Sequence, residues 1–120
     1  MIGLKKRNSA SSLGLFFLIA VVQPACAASF DCDKARVPDE VTICRDRGLN
    51  DQDVRVAFLY DATSHFLAMG ARDVARDQQK AWLAERRRCG ADSACLRRAY
   101  ARRLTELQRV LEKAYELGPL

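Results

Sequence analysis

Residues 78–100 read QQKAWLAERRRCGADSACLRRAY and contain the features that decide the fold. Trp82, the only tryptophan of the chain, lies in the first half of this stretch. Cys89 and Cys95 lie six positions apart, and the Gly-Ala-Asp-Ser sequence between them is a turn signal that separates two helix-like runs. The stretch therefore predicts the corner of a helical hairpin that is closed by a disulfide.

The N-terminal segment 1–27 has the features of an export signal. Three basic residues at 5–7 precede a ten-residue apolar run at 13–22, and Pro24 and small residues follow. This order predicts a secretory signal peptide that is cleaved before Ala28 or Ser29. Because a transmembrane helix needs about 20 apolar residues, we predict a periplasmic or secreted protein with no membrane span in its mature form.

Cys26 raises the alternative of a lipoprotein that is acylated at this cysteine. Bacterial lipoprotein signals usually have an aliphatic residue three positions before the cysteine, where this chain has Gln23. Lipidation at Cys26 is therefore the minor alternative, and a soluble exported protein is favoured.

Removal of the signal peptide changes the net charge. The whole chain has 20 basic and 15 acidic residues, for a net charge of +5. Three of the basic residues and none of the acidic ones lie in 1–27, which leaves 17 basic and 15 acidic residues and a net charge of +2. A small net charge on an exported chain argues against a nucleic-acid partner.

Four cysteines remain after cleavage, and an even number in a small exported domain predicts two disulfides. Of the three possible pairings we favour Cys32–Cys44 and Cys89–Cys95, because each closes a short loop around a plausible turn. Spacings of twelve and six, with one distant histidine, do not match a zinc finger or a zinc ribbon. We therefore expect no metal and no cofactor.

Hydrophobic periodicity predicts four helices and no strand. The first helix is short, begins at Pro38 and ends at Gly48, and the second has Asn50 as its N-cap and Asp53 in its first turn and ends at Gly70. The third helix runs from about Arg72 to Cys89. The last helix has Asp92 or Ser93 as its N-cap and ends at Gly118. The predicted fold is a small all-α, disulfide-stapled bundle over 28–118, with one short helix and three longer ones.

Three- and four-residue spacings predict which helix faces are buried. In the second helix the predicted apolar stripe is Val54, Ala57, Phe58, Ala62, His65, Phe66 and Met69. In the last helix it is Leu96, Tyr100, Leu104, Leu107, Leu111 and Ala114, while Arg97, Arg98, Arg102, Arg103, Arg109 and Lys113 are expected on solvated faces. Trp82 is expected in the core.

Catalytic chemistry is not indicated. His65 is the only histidine, and no cysteine of the mature chain is free once the four are paired. A nucleophile with a base and an orienting group is therefore not apparent, and we do not expect an enzyme.

Three blocks of residues together closely resemble the LprI-type lysozyme-inhibitor domain of bacterial envelope proteins, over about 29–107. The first block is Phe30-Asp31-Cys32-Asp33-Lys34-Ala35 with Glu40 and Ile43-Cys44, and the second is Leu49, Asp53 and Tyr60. The third block is Gln79-x-x-Trp82-Leu83-x-x-Arg86-x-x-Cys89, Cys95-Leu96 and Tyr100-x-x-Arg103-Leu104-x-x-Leu107. Gln52 departs from the aliphatic residue that is usual in the family.

The resemblance implies a secreted or membrane-tethered helical domain with two disulfides, which in at least one member binds and inhibits lysozyme. Its matched positions are mostly structural: Tyr60, Trp82 and Tyr100 as core residues, and Asp53 with Arg86 as a buried or helix-end ion pair. Lysozymes use two carboxylates in a cleft. Arg86, Arg87 and Arg88 are therefore the candidate residues for binding a partner.

Two alternatives remain for the function. Residues 104–108 read LTELQ, which is similar to a motif of the Spy/CpxP family of periplasmic helical chaperones and stress proteins. The other alternative is an envelope protein-interaction domain whose partner is not a lysozyme.

Overall fold

The computed structural model describes residues 28–118, and the predicted signal peptide and Cys26 lie outside them. Within this range the chain forms four α-helices and no strand, which confirms the predicted fold class. A 3-10 turn at Cys32–Lys34 precedes α1 (Pro38–Arg45), α2 (Arg47–Phe66), α3 (Met69–Arg88) and α4 (Ser93–Glu116). No helix of this described part is long and apolar enough to cross a membrane.

The junction between α1 and α2 lies earlier than predicted. Pro38 begins α1 as expected, but α1 ends at Arg45, and Asp46 is both the C-cap of α1 and the N-cap of α2. Gly48 lies in the first turn of α2. A Cβ atom there would come within 3.3 Å of Arg97 Nη1 and of Asp46 Oδ1. This glycine makes room for Arg97 to reach Asp46 and does not end a helix.

The prediction that Asn50 is an N-cap is wrong, because α2 already begins at Arg47. Asp46 accepts a hydrogen bond from the backbone N–H of Leu49, and Asn50 is buried inside the helix. Both Asp and Asn are good N-caps, so local preference does not choose between them. The earlier start places Leu49 in the core and brings Asp53 to the inner face of α2, beyond the first turn.

The predicted apolar stripe of α2 is also wrong. Phe58 is 70% exposed and Met69 is 81% exposed. The buried residues of α2 are Leu49, Asn50, Asp53, Val56 and Thr63. Three of these five buried residues are polar. The predicted stripe follows the apolar residues, so it lies on the side of the helix opposite to the buried one.

The junction between α2 and α3 differs from the prediction as well. Leu67 is extended, with φ −89° and ψ 138°, and α3 begins at Met69. Gly70 therefore lies in the first turn of α3 and does not end α2.

The core lies mainly between α2 and α4, with α1 and α3 packed beside them. Its buried members are Ile43, Leu49, Val56, Trp82, Leu96, Tyr100, Leu104 and Leu107, with Phe30, Leu59, Tyr60 and Cys89 partly buried against them. Leu96, Tyr100, Leu104 and Leu107 lie on the face of α4 that the sequence predicts, whereas Leu111 and Ala114 are only half-buried.

The α3–α4 corner has the geometry that its sequence predicts. After α3 ends, Gly90 adopts a φ of 55°, which glycine tolerates best. Asp92 caps α4 by accepting from the backbone N–H of Cys95 at 3.0 Å. The two disulfides have the favoured pairing, with Cα–Cα distances of 5.8 Å for Cys32–Cys44 and 5.5 Å for Cys89–Cys95.

Candidate functional site

A buried arginine is the centre of the best-defined polar site. Arg86 is 5% exposed and lies in the last turn of α3. Its Nε donates to Asp39 Oδ2 at 3.0 Å, and its Nη1 donates to Asp53 Oδ1 and to Tyr100 Oη at 3.4 Å each. These four residues, which we call the charged cluster, come one from each helix. The cluster therefore ties all four helices together.

Asp53 is the main acceptor of the charged cluster. Tyr100 Oη donates to its Oδ1 at 2.8 Å, and the backbone N–H of Ser29 donates to its Oδ2 at 2.7 Å. Burial, together with the negative charge of Asp53, raises the pKa of Tyr100 well above its usual value. The phenol is consequently a stable donor at physiological pH.

Aromatic rings surround the guanidinium of Arg86. Its Cζ lies 5.5 Å from the centroid of the Phe30 ring and 5.9 Å from that of Trp82, within the range of cation–π attraction. Trp82 packs edge-on against Tyr100 at 5.2 Å, and its Nε1 donates to the carbonyl of Ala99. Trp82 is thus a core residue, as its position on the apolar face predicts.

Arg86 remains charged although it is buried. Burial opposes the charged form, but the hydrogen bond to Tyr100 and the charges of Asp39 and Asp53 outweigh it and raise the pKa of Arg86. Asp53 and Arg86 form the buried pair that the sequence suggests. Asp39 was missed as a partner, because an acid after Pro38 is typical of any first helical turn.

Arg103 is a second buried arginine, and the prediction that it lies on a solvated face is wrong. It is 4% exposed, and its Nε and Nη2 donate to Gln79 Oε1 at 3.1 and 2.9 Å. Its Nη1 also contacts Glu106 at 3.2 Å. Gln79 and Arg103 both belong to the blocks that resemble the LprI-type domain, and this was the available signal for their pairing.

An open groove lies beside the charged cluster. Its volume is about 770 Å³, and it is lined by Ser29, Phe30, Glu40, Lys80, Leu83, Ala84, Arg86, Arg87 and Arg88. Arg86 also lines the groove, but it is 5% exposed and its Nε and Nη1 donate to buried partners. Its role as a partner-binding arginine stays a prediction. Arg87 and Arg88 are exposed. Together with Lys80 they give the groove a cationic side.

Comparisons with known proteins identify no relative of this chain. No protein-family model, no curated protein and no solved structure matches this chain. The resemblance to the LprI-type domain consequently stays a prediction. Among residues 28–118, no group of three or more histidine, cysteine or acidic side chains is placed to hold a metal ion.

Proposed function

We propose that this chain is an exported protein that binds a lysozyme or a related cell-wall hydrolase and inhibits it. It would act in the periplasm or outside the cell, after removal of its signal peptide. The observation that carries the proposal is the convergence of the LprI-like residues. Asp53 of the second block meets Trp82, Arg86 and Tyr100 of the third block in one buried unit.

This convergence supports the proposal because it gives the resemblance a physical basis. A chance match within amphipathic helices would scatter the matched polar residues over solvated faces. Here Asp53 and Arg86 are buried as a pair, and Gln79 and Arg103 form a second polar contact. These four matched residues hold the helices in one arrangement, whereas Asp31, Asp33 and Lys34 of the first block are exposed.

The groove beside this unit has suitable chemistry for the cleft of a lysozyme. Arg87, Arg88 and Lys80 supply positive charge, while Leu83 and Phe30 supply apolar surface. Arginine binds carboxylates through two parallel hydrogen bonds, and the cleft of a lysozyme holds two carboxylates. A net charge of +2 for the mature chain gives little long-range steering, so local contacts must supply the affinity.

The test is a cell-wall lysis assay with the oxidised chain 28–120 against c-type and g-type lysozymes. We expect dose-dependent inhibition at a near-stoichiometric ratio, and loss of inhibition after reduction of the disulfides. Absence of inhibition of both types at micromolar excess would contradict the proposal, although the fold would stand.

The role of the groove is tested with the double variant Arg87→Glu/Arg88→Glu. Its matched control is Arg109→Glu/Lys113→Glu, which makes the same change of charge at exposed positions of α4 away from the groove. We expect at least a tenfold weaker inhibition for the groove variant, which corresponds to about 1.4 kcal/mol, and little change for the control. Equal inhibition by both variants would remove the groove from the proposal.

A second candidate function is a periplasmic holdase, and the exposed apolar side chains favour it. The most exposed are Phe58, Met69, Val74, Tyr115 and Leu117. The LTELQ sequence gives it less support, because Leu104 and Leu107 are buried core residues, which accounts for the pattern without a chaperone motif. A holdase should suppress the aggregation of unrelated unfolded proteins, whereas a specific inhibitor should not. If neither activity is found, the remaining alternative is a different envelope protein as partner.

A further inference from the structure

The charged cluster has more negative than positive charge. Asp39 is fully buried and Asp53 nearly so, whereas Arg86 is the one buried cation that contacts them among residues 28–118. Glu40 adds a further carboxylate at the edge, with Oε1 4.0 Å from Arg86 Nη2. Asp39 Oδ1 has no hydrogen-bond partner in the described part of the chain. A buried carboxylate without full compensation is costly.

The backbone nitrogen of Ser29 approaches this excess charge. Its 2.7 Å contact with Asp53 Oδ2 is the shortest hydrogen bond of the cluster, and it falls in the range of charge-assisted N–H···O bonds. In the uncut chain this nitrogen is a neutral peptide amide. Ser29 itself is exposed and lines the groove.

Signal-peptide cleavage would change the charge of this nitrogen. The sequence predicts a cut before Ala28, which leaves Ala25 and Ala27 at the positions that signal peptidases read, or a cut before Ser29, which leaves Cys26 and Ala28 there. Both pairs are small, so the contact of the Ser29 nitrogen with Asp53 is the observation that favours the second cut. Hydrolysis of the Ala28–Ser29 bond adds water: the hydroxyl goes to the carbonyl of Ala28, and a proton goes to the nitrogen of Ser29. The released acid then loses its proton and the amine gains one, which leaves a carboxylate on the leader and an ammonium on Ser29.

We propose that Ser29 is the first residue of the exported protein and that its α-ammonium group binds Asp53 as a further cation of the charged cluster. Removal of the leader then stabilises the fold, because it replaces a neutral donor by a charged one against a buried carboxylate. The inference depends on the proposed export of the chain but not on binding to a lysozyme. Its tests therefore measure chain processing and stability.

The first test compares two oxidised chains of natural sequence, 29–120 and 27–120. The longer chain keeps a peptide amide at Ser29 and moves the ammonium about 7 Å upstream. At about pH 6.5 we expect the 29–120 chain to melt about 4–8 °C higher. Equal melting temperatures at this pH would overturn the proposal.

The pH dependence gives a second measurement on the same pair. A free α-amino group has a pKa of about 8, and the acidic neighbours of Ser29 should raise it in the folded state. The stabilisation is then fully present below about pH 8 and is lost as the pH rises through the folded pKa. We therefore expect the two melting curves to converge by about pH 10, and a difference that persists unchanged at this pH would contradict the assignment.

Titration of the surrounding groups does not disturb this comparison. The groups that face Ser29 and its partner are Asp39 and Glu40 on α1, Asp53 on α2, Lys80, Arg86, Arg87 and Arg88 on α3, and Tyr100 on α4. All are common to both chains, so their contributions cancel in the difference. The substitution Asp53→Asn in both chains should abolish the difference; if this variant does not fold, the pH series on the natural sequences decides.

The cleavage position is tested by exporting Met1–Leu120 from a bacterial host and measuring the intact mass of the purified product. A mass that corresponds to 29–120 with two disulfides supports the proposal. A product that begins at Ala28, or one that retains the leader, overturns it. Failure of the lysozyme assay would leave the expected melting difference and the expected mass unchanged.

Discussion

The two ends of the bundle are built differently. At one end, which we call the stapled end, two disulfides and the charged cluster join α1, the first half of α2, the end of α3 and the first half of α4. At the other, which we call the distal end, Phe66 and Tyr115 pack against each other with ring centroids 5.0 Å apart, and they remain 42% and 63% exposed. Stability should therefore be concentrated at the stapled end, and the distal end should open first in local unfolding.

The difference shows how a small domain compensates for a limited core. A chain of this length buries a modest fraction of its apolar surface, and at the distal end the last apolar positions of α4 are only half-buried. The stapled end adds covalent links and buried polar contacts to its apolar packing. Substitutions of similar chemistry should consequently have very different effects at the two ends.

The largest effect is expected for Arg86→Met. It leaves Asp39 and Asp53 buried without their cation, and loss of one member of a buried ion pair costs about 3–5 kcal/mol of unfolding free energy. Denaturant unfolding measures the change. The matched control is Arg87→Met on the adjacent, exposed position, which should change stability by no more than about 0.5 kcal/mol. Similar losses for both variants would contradict a special role for the cluster.

Loss of the corner disulfide should rank second. The double variant Cys89→Ser/Cys95→Ser removes a short covalent loop, and we expect it to destabilise the protein by about 2–3 kcal/mol. The Cys32→Ser/Cys44→Ser variant should have an effect of the same order, because its loop is also short. Melting of both oxidised variants beside the parent chain tests this, and an unchanged melting temperature would show that the disulfide is not needed for stability.

A smaller effect is expected for Tyr100→Phe, which keeps the ring but removes the donor to Asp53. A buried acceptor that loses its partner costs about 1–3 kcal/mol. Tyr115→Phe at the distal end is the matched control, because it removes the same hydroxyl from an exposed ring. It should leave the unfolding free energy within about 0.5 kcal/mol of the parent value.

The same tyrosine should also affect stability in alkaline solution. An unfolded tyrosine ionises near about pH 10, whereas burial and Asp53 raise the pKa of Tyr100 in the folded state. Its contribution is therefore present below about pH 10 and is lost as the pH rises further. Tyr100→Phe should make the decline of stability above that pH less steep than in the parent chain, and an identical slope would contradict this explanation.

The smallest effect is expected for Tyr115→Ala at the distal end. Tyr115 is 63% exposed in its ring pair with Phe66, so loss of the pair should cost about 1 kcal/mol or less. Amide hydrogen exchange should report it most clearly, as faster exchange at the end of α2 and the end of α4 with little change around Arg86. A uniform increase along the whole chain would show that the two ends are not separate in stability.

Much of the fold follows from local sequence signals. Pro38 begins α1, Gly90 and Asp92 define the α3–α4 corner, and Leu96, Tyr100, Leu104 and Leu107 lie on the buried face of α4. Each of these features depends on a backbone preference or on a regular apolar spacing. Such signals act over a few residues and can be read without knowledge of the partner helices.

The errors occur where several local solutions are equally good. Asp46 and Asn50 are both suitable N-caps, and packing of Leu49 selects the first. Phe58 belongs to a regular apolar stripe, yet it faces solvent because the other side of α2 carries Asp53 towards Arg86. Leu49, Val56 and Tyr60 also lie on the buried side, but Asp53 and Thr63 interrupt their apolar spacing, so the outer stripe has the more regular hydrophobic pattern.

The sequence by itself determined the helical class, the corner at Cys89 and Cys95 and the candidate pair of Asp53 with Arg86, because these depend on short spacings or on recognisable blocks. Only the tertiary structure decided that Asp39 is also a partner of Arg86, that Arg103 is buried, and that the nitrogen of Ser29 reaches Asp53. These contacts join distant parts of the chain. The identity of a polar residue does not reveal its partner until the helices are packed.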